Sequence, residues 1–393
     1  MLESMTRLAD EMRVVRRDIH RHPELGFSEV RTSALVAEQL RSWGIEVHER
    51  IGKTGVVGVL QAGTSSRAIG LRADMDALPI EENSGAAHAS VHAGVHHACG
   101  HDGHTTMLLC AARYLAQSRR FDGRVHLIFQ PAEEGQAGAR SMIEDGLFRR
   151  FPCDEIYALH NWPSLPAGII ATRPGPMMAA ADRFEITVRA RGGHAAQPHV
   201  TADAILCASQ LVTAAHTLVS RRIDPKSNAV LSITRIHGGS SHNVLPAEVA
   251  LTGTVRTFDP EVQDRLETAL RELVEGTAKA AGCTASMQYI RYYPATINDA
   301  ACAGHVLDVS QQLFGRAMVP DAPAATSEDF AFMLQQVPGA YVWLGQGSDT
   351  HAAPLHDPRY DFNDDVLATG ATLLAALAER RLAAGLPDSA TAP

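Results

Sequence analysis

The sequence lacks any apolar run approaching the ~18 residues that a membrane-spanning helix requires, and it lacks any cluster of Lys and Arg. Acidic residues number 44 against 35 basic, a formal net charge of −9. The basic stripe on which phosphate-backbone binding depends is therefore missing. The opening stretch, MLESMTRLADEMRVVRRDIHRHPE, is charged throughout and carries no apolar secretory core. Six cysteines in 393 residues (Cys99, Cys110, Cys153, Cys207, Cys283, Cys302) are too dispersed for a secreted disulfide framework. Internal repeats and low-complexity segments are also absent. These absences argue against nucleic acid or a membrane as partner and predict a cytoplasmic globular protein.

What is present is ample apolar material, 45% of residues, enough for two or three domains at roughly 150 residues each. Helical spacing of apolar residues over 5–21 stops at Pro23, and a second helix follows with Ser28 as candidate N-cap and Gly44 beyond its end. Short β-rich runs then alternate with helical ones: strands at 45–48, 56–60, 68–72, 124–129 and 155–159, helices at 105–117 and 141–148. This alternation predicts an α/β domain with a mostly parallel sheet covered by helices. Between 183 and 293 the order becomes β-α-β-β-α-β, with helices at 202–219 and 261–281. That is the ferredoxin-like pattern of an α+β unit. The α/β pattern resumes with a helix at 300–314, a strand at 340–344 and a helix at 364–384; the tail LPDSATAP is expected to fray. The expected organisation is a catalytic domain in two parts, 1–182 and 294–393, interrupted by an inserted domain at 183–293.

Histidine is the residue in excess. There are 19, and six (His88, His92, His96, His97, His101, His104) fall within 88–104, a sequence sign of metal binding. The chemistry-bearing groups also follow the expected strands. Asp74 and Asp76 come after the strand at 68–72, Glu133 and Glu134 after that at 124–129, and His160 after that at 155–159; CGHDGH (99–104) opens a helix in the same layer. Open α/β sheets build their sites at this carboxyl edge. Cys99 and His101 can bind from one tight turn. Of two adjacent carboxylates, one can ligate while its neighbour takes the proton of a water whose pKa a metal has lowered to ~7. These ligand types predict two divalent ions. His126 reads as a core histidine, Cys110 and Cys207 as core thiols, and His20 and His22 as the end of the first helix. The residues alone do not separate His351 from His356.

The segments HPELGFSEVRTS, LRADMDALPI, HACGHDGHTTMLL, FQPAEEGQAGAR, ALHNWP, ARGGHAAQPH, NVLPAEVALTGTVRTF, SEDFAFM and PLHDPRYDFND together resemble the M20 metallopeptidase family. The likeness is to its amidohydrolase branch of hippurate hydrolases, N-acyl-L-amino acid amidohydrolases and auxin-conjugate hydrolases. The resemblance implies a bridging Cys99, one ion completed by Glu134 and His356, and the other by His101 and His160. It implies Glu133 as general base, His194 as the group polarising the scissile carbonyl, and Asn243 and Arg256 near the substrate carboxylate. Asp76 is implied to orient a histidine; Asp74 is not counted a ligand. Zn²⁺ or Mn²⁺, with Ni²⁺ or Co²⁺ as further options, would serve a small N-acyl amino acid substrate. The inserted domain would be a lid and dimerisation domain, in a homodimer or homotetramer. A dinuclear dipeptidase or aminoacylase on the same fold is the alternative. A hydrolase using Cys99 as nucleophile with His101 or His104, and a non-catalytic binding protein, are rivals from other classes.

Overall fold

A computed structural model describes residues 1–384, so the expectation for 386–393 lies outside the described residues. The chain forms two compact units. One comprises Met1–Met177, Ile297–Ala322 and the chain from Asp329 onward; the other comprises Met178–Thr296 and Pro323–Glu328.

The first unit is built on a seven-stranded sheet. In chain order its strands are β1 (Glu46–Ile51), β2 (Gly55–Ala62), β3 (Ala68–Asp74), β4 (Gly123–Gln130), β5 (Glu155–Pro166), β6 (Ile170–Ala171) and the strand Gly339–Gly347. Their spatial order is β1-β2-β4-β3-β5, then Gly339–Gly347, then β6. The four central strands β4, β3, β5 and Gly339–Gly347 pair in parallel, while β1, β2 and β6 join antiparallel at the edges. The sheet is thus mixed at its margins and parallel where the site residues arise. Every residue of β3 is buried, as expected for a strand covered on both faces.

Helices α1 (Leu2–Arg21), α2 (Val30–Ser42), α3 (His101–Ser118) and Leu367–Arg381 supply the cover; α1, α3 and Leu367–Arg381 pack on one another. Helix α2 begins at Val30 with Glu29 in the capping position and no side-chain cap, so Ser28 does not serve as N-cap. The Glu29 carboxylate instead accepts from the Thr54 hydroxyl and the Ala132 amide. Helix α3 starts at His101, ahead of the expected 105, because the motif itself turns into the helix. Gly100 makes that turn at φ +91, and a Cβ there would lie 2.3 Å from Asn161 Oδ1. At Gly103 a Cβ would lie 2.3 Å from the Phe362 ring. Both glycines of CGHDGH are therefore demanded by close packing.

The second unit holds an antiparallel sheet in the order Ala229–Gly238, Glu248–Thr257, Ala180–Arg189, Thr284–Tyr293. Helices Ala204–Arg222 and Pro260–Ala280 bury their apolar sides with it in one core. Asp203 and Asp259 cap them. Two β-α-β halves with the strands interleaved in this way form the ferredoxin-like arrangement.

All six cysteines are free thiols. Among the described residues no helix is long and apolar enough to cross a membrane. His126 lies inside β4, 2% exposed, with neither ring nitrogen hydrogen-bonded among the described residues. Burial and then Arg124 push its pKa down to about 4. The unfolded chain binds a proton there near pH 6.5, so stability is intact above that value and drains away as the pH falls towards 4. Wild type should lose stability relative to His126→Leu across that window, by up to about 3 kcal/mol, in thermal melts at stepped pH. A gap that does not change with pH would show the imidazole to be solvated or charged in the fold.

Candidate metal centre

The carboxyl edge of the parallel strands gathers the polar groups of the first unit. Asp74 ends β3, and Asp76 follows in an irregular stretch. His160 sits within β5, not beyond it, because that strand runs on to Pro166. The segment after β4 is a kinked turn over Glu133–Gln136, entered through Ala132 at φ +52 and left through Ala137 at φ +56. Left-handed backbone at two alanines is strained, and buried carboxylates hold it. The Ala132 amide donates to Glu29 at 2.8 Å, and the Glu133 and Glu134 amides donate to the two oxygens of Asp76 at 3.0 Å each. Asp329 accepts from the Ala139 amide at 2.9 Å, and its own amide reaches Glu133 Oε1 at 3.3 Å.

Two groups of ligand-type atoms converge on one sulfur. Cys99, His101 and His160 form one, and Cys99, Glu134 and His356 the other, with the ligating atoms of each group within 4.8 Å of one another. His160 Nε2 lies 3.4 Å from Cys99 Sγ, and His356 Nε2 lies 3.2 Å from Glu134 Oε1. Each buried histidine is fixed through its other nitrogen. Nδ1 of His101 faces Asp76 Oδ1 at 3.2 Å, and Nδ1 of His160 faces the Asn161 carbonyl at 2.7 Å. This anchoring sets the tautomer that leaves Nε2 as a lone-pair donor. Among the described residues, His101 Nε2 and Glu134 Oε1 are buried without a hydrogen-bond partner. Unpaired ligand-type atoms buried beside a thiol are what a divalent ion satisfies, so the residues fit the expected metal pair.

The electrostatics point the same way. Burial would lower His101, yet Asp74, Asp76 and Glu134 outweigh it and raise the imidazole to about 10. The site thus draws positive charge. Burial, then Glu134, Glu133 and Asp74, push the Cys99 thiol well above its usual value. Burial, followed by His104, holds His160 neutral. A nucleophilic cysteine needs an electropositive setting, and Cys99 has the reverse. Neither proposed base is on the thiol: Nδ1 of His101 goes to Asp76, and His104 is engaged by Asp74 and Asn161.

His351 is bonded to Ser348 and Thr350, while His356 joins Cys99 and Glu134 in a ligand group; His356 has φ +66 and donates its amide to the Ala98 carbonyl at 2.8 Å. Asp74 is held by Arg72 and His104 at 2.7 and 2.6 Å. His194, Asn243 and Arg256 belong to the second unit. There His194 pairs with Val244, and the Ala195 amide donates to the Asn243 carbonyl at 3.0 Å. Arg256 bonds Thr254 and the Val255 carbonyl. Glu29, Arg72 and Asp329 support the site, and the only sequence signal for them is their presence in HPELGFSEVRTS, LRADMDALPI and SEDFAFM.

Asp76 is the pivot, since one carboxylate serves an imidazole and two successive amides. Asp76→Asn leaves one oxygen for three donors. It should weaken metal binding about 10–100-fold, measured by competition with a chromophoric chelator. Unchanged affinity would remove Asp76 from the support of the centre.

The profile of Peptidase family M20/M25/M40 matches residues 70–380. The hippurate hydrolase of Campylobacter jejuni is 41% identical over 377 residues, covering 95% of this chain and 97% of that protein. The N-acetyl-L-cysteine deacetylase of Bacillus subtilis is 37% identical over 380 residues, covering 96% and 90%. A Bacillus subtilis crystal structure described as a dinuclear metal-binding peptidase of the M20 family superposes with a TM-score of 0.86 at 34% identity, over 96% of this chain and 99% of that one. The chain belongs to Peptidase family M20/M25/M40, within its amidohydrolase branch.

Proposed function

We propose that the protein hydrolyses the amide bond of N-acyl amino acids, hippurate among them, with two divalent ions and Glu133 as general base. One observation carries the reading: two ligand groups share Cys99, and the carboxylate next in sequence to ligand Glu134 is fixed by the Asp329 amide. Cys99, His101 and His160 would hold one ion and Cys99, Glu134 and His356 the other, with Zn²⁺ or Mn²⁺ suited to this mixture of thiolate, imidazole and carboxylate. When bound, the ions polarise the amide carbonyl and make water acidic enough to attack near neutral pH.

The chain's own groups do the rest. Glu133, only 7% exposed, takes the proton of the attacking water and returns it to the leaving nitrogen. The Asp329 amide on Oε1 fixes which way that carboxylate faces. Asp76 keeps the Glu133 and Glu134 amides on one anchor, so base and ligand hold a constant relation. The roles of oxyanion donor for His194 and of carboxylate ligands for Asn243 and Arg256 belong to the same proposal and rest on the likeness of their motifs.

Glu133→Gln should lower kcat by at least about 10²-fold with metal content unchanged. The assay is hydrolysis of hippurate, N-acetyl-L-methionine, an indoleacetyl amino acid and Gly-Leu, before and after chelation. Wild-type activity should vanish with chelator and return with Zn²⁺ or Mn²⁺. Activity that survives chelation, or a Glu133→Gln enzyme within a few-fold of wild type, would sink the mechanism. Preference for Gly-Leu would move the substrate class to dipeptides.

A further inference from the structure

We propose that the protein carries an additional divalent-cation site, made by His20, Glu82 and His96, that is separate in its ligands from the Cys99 centre. His20 lies in the last turn of α1, whereas Glu82 and His96 lie in the irregular stretch between β3 and α3. Their ligating atoms fall within 4.8 Å of one another. Nε2 of His20 is 3.2 Å from Glu82 Oε1, and Nε2 of His96 is 3.7 Å from the same oxygen. Ligands at ~2.0–2.1 Å from a tetrahedral zinc ion stand roughly 3.3–3.5 Å apart, so these separations suit an ion between the three groups and leave a fourth position for water.

Two further features point to a cation. Nδ1 of His20 is bound to Asp102 Oδ2 at 2.8 Å, the carboxylate–histidine pairing that orients a metal ligand. His96 is wholly buried, and among the described residues neither of its ring nitrogens meets full hydrogen-bond geometry with a partner; the Tyr360 backbone also acts on the ring. Leaving a buried polar group unsatisfied costs free energy. A plain His20–Glu82 hydrogen bond accounts for two of the residues and leaves that cost at His96 unexplained. Asp102 and Asp361 also face this cluster, against the Arg16 guanidinium and the His88 ring. Glu82 is held ready, with Oε1 accepting from Ser84 and Oε2 from the Ser90 amide at 2.6 Å.

The site would pin a loop whose two ends matter. Leu78 and His96 exchange amide–carbonyl bonds of 3.0 Å in both directions, and the loop they close carries Asp76 before it and Cys99 after it. An ion joining this loop to α1 ties metal binding to local folding. Its chemistry, two imidazoles and one carboxylate, selects a Zn²⁺-like ion over Ca²⁺ or Mg²⁺.

The test counts metal. Chelator-stripped protein is titrated with Zn²⁺, and with Co²⁺ for its visible bands, and bound metal per chain is measured. Wild type should take three equivalents and His96→Leu two. The double variant Cys99→Ala/His160→Ala should keep one equivalent, which adding His96→Leu removes. Equal uptake by wild type and His96→Leu would overturn the proposal. If His96→Leu does not fold, Glu82→Gln takes its place in both backgrounds: loss of one equivalent supports the site and unchanged uptake refutes it. Because the readout is the equivalent lost within each background, its result is independent of the proposed hydrolase mechanism.

Discussion

The carboxylate of Asp76 binds three things that must stay in register: the imidazole of His101, the amide of Glu133 and the amide of Glu134. It is 1% exposed, so its charge is compensated by these donors and not by water, and low dielectric strengthens each bond. The turn after β4 depends on it, since Ala132 and Ala137 occupy left-handed backbone that isolated alanines avoid. Glu29 and Asp329 brace the two flanks of the same turn. The elements they come from are far apart in sequence, and the parallel sheet is what brings their ends to one edge.

This concentration of carboxylates has an electrostatic consequence. Asp74, Asp76, Glu133 and Glu134 act on Cys99 or His101 from close range, raising both. Left to itself the site would take up protons, on His101 first, and keep the thiol neutral. Divalent ions held as proposed would reverse both tendencies, since the thiolate and the neutral imidazole would be the ligand forms. The pull on protons and the capacity for metal are one property, an excess of buried negative charge. Arg72 offsets part of it by bonding Asp74, Asp329 and the Gln130 side chain, which keeps the second rank of carboxylates from repelling the first.

Much of this was legible in the chain. The strand–helix alternation, the switch to β-α-β-β-α-β and the motifs CGHDGH and PAEEG needed only local spacing, because periodicity and turn chemistry are properties of neighbours in sequence. The positions of Cys99, Glu133 and Glu134 at strand and helix ends follow from the same rules. The antiparallel edges of the sheet were not legible, since strand direction depends on partners that no short window contains. Nor was the capping of α2, where Glu29 is used by Thr54 and Ala132.

The sequence by itself determined which residue types could do chemistry and that they lie near the carboxyl ends of strands. Only the tertiary structure decided which of them meet. His351 and His356 look alike in sequence, yet His356 comes within reach of Cys99 and Glu134 while His351 bonds Ser348 and Thr350. Asp329 is anonymous in SEDFAFM until its amide is found on Glu133. His20, Glu82 and His96 gather although their segments show no common pattern. Distances between side chains from different strands and loops are fixed by packing, and packing is a property of the whole fold.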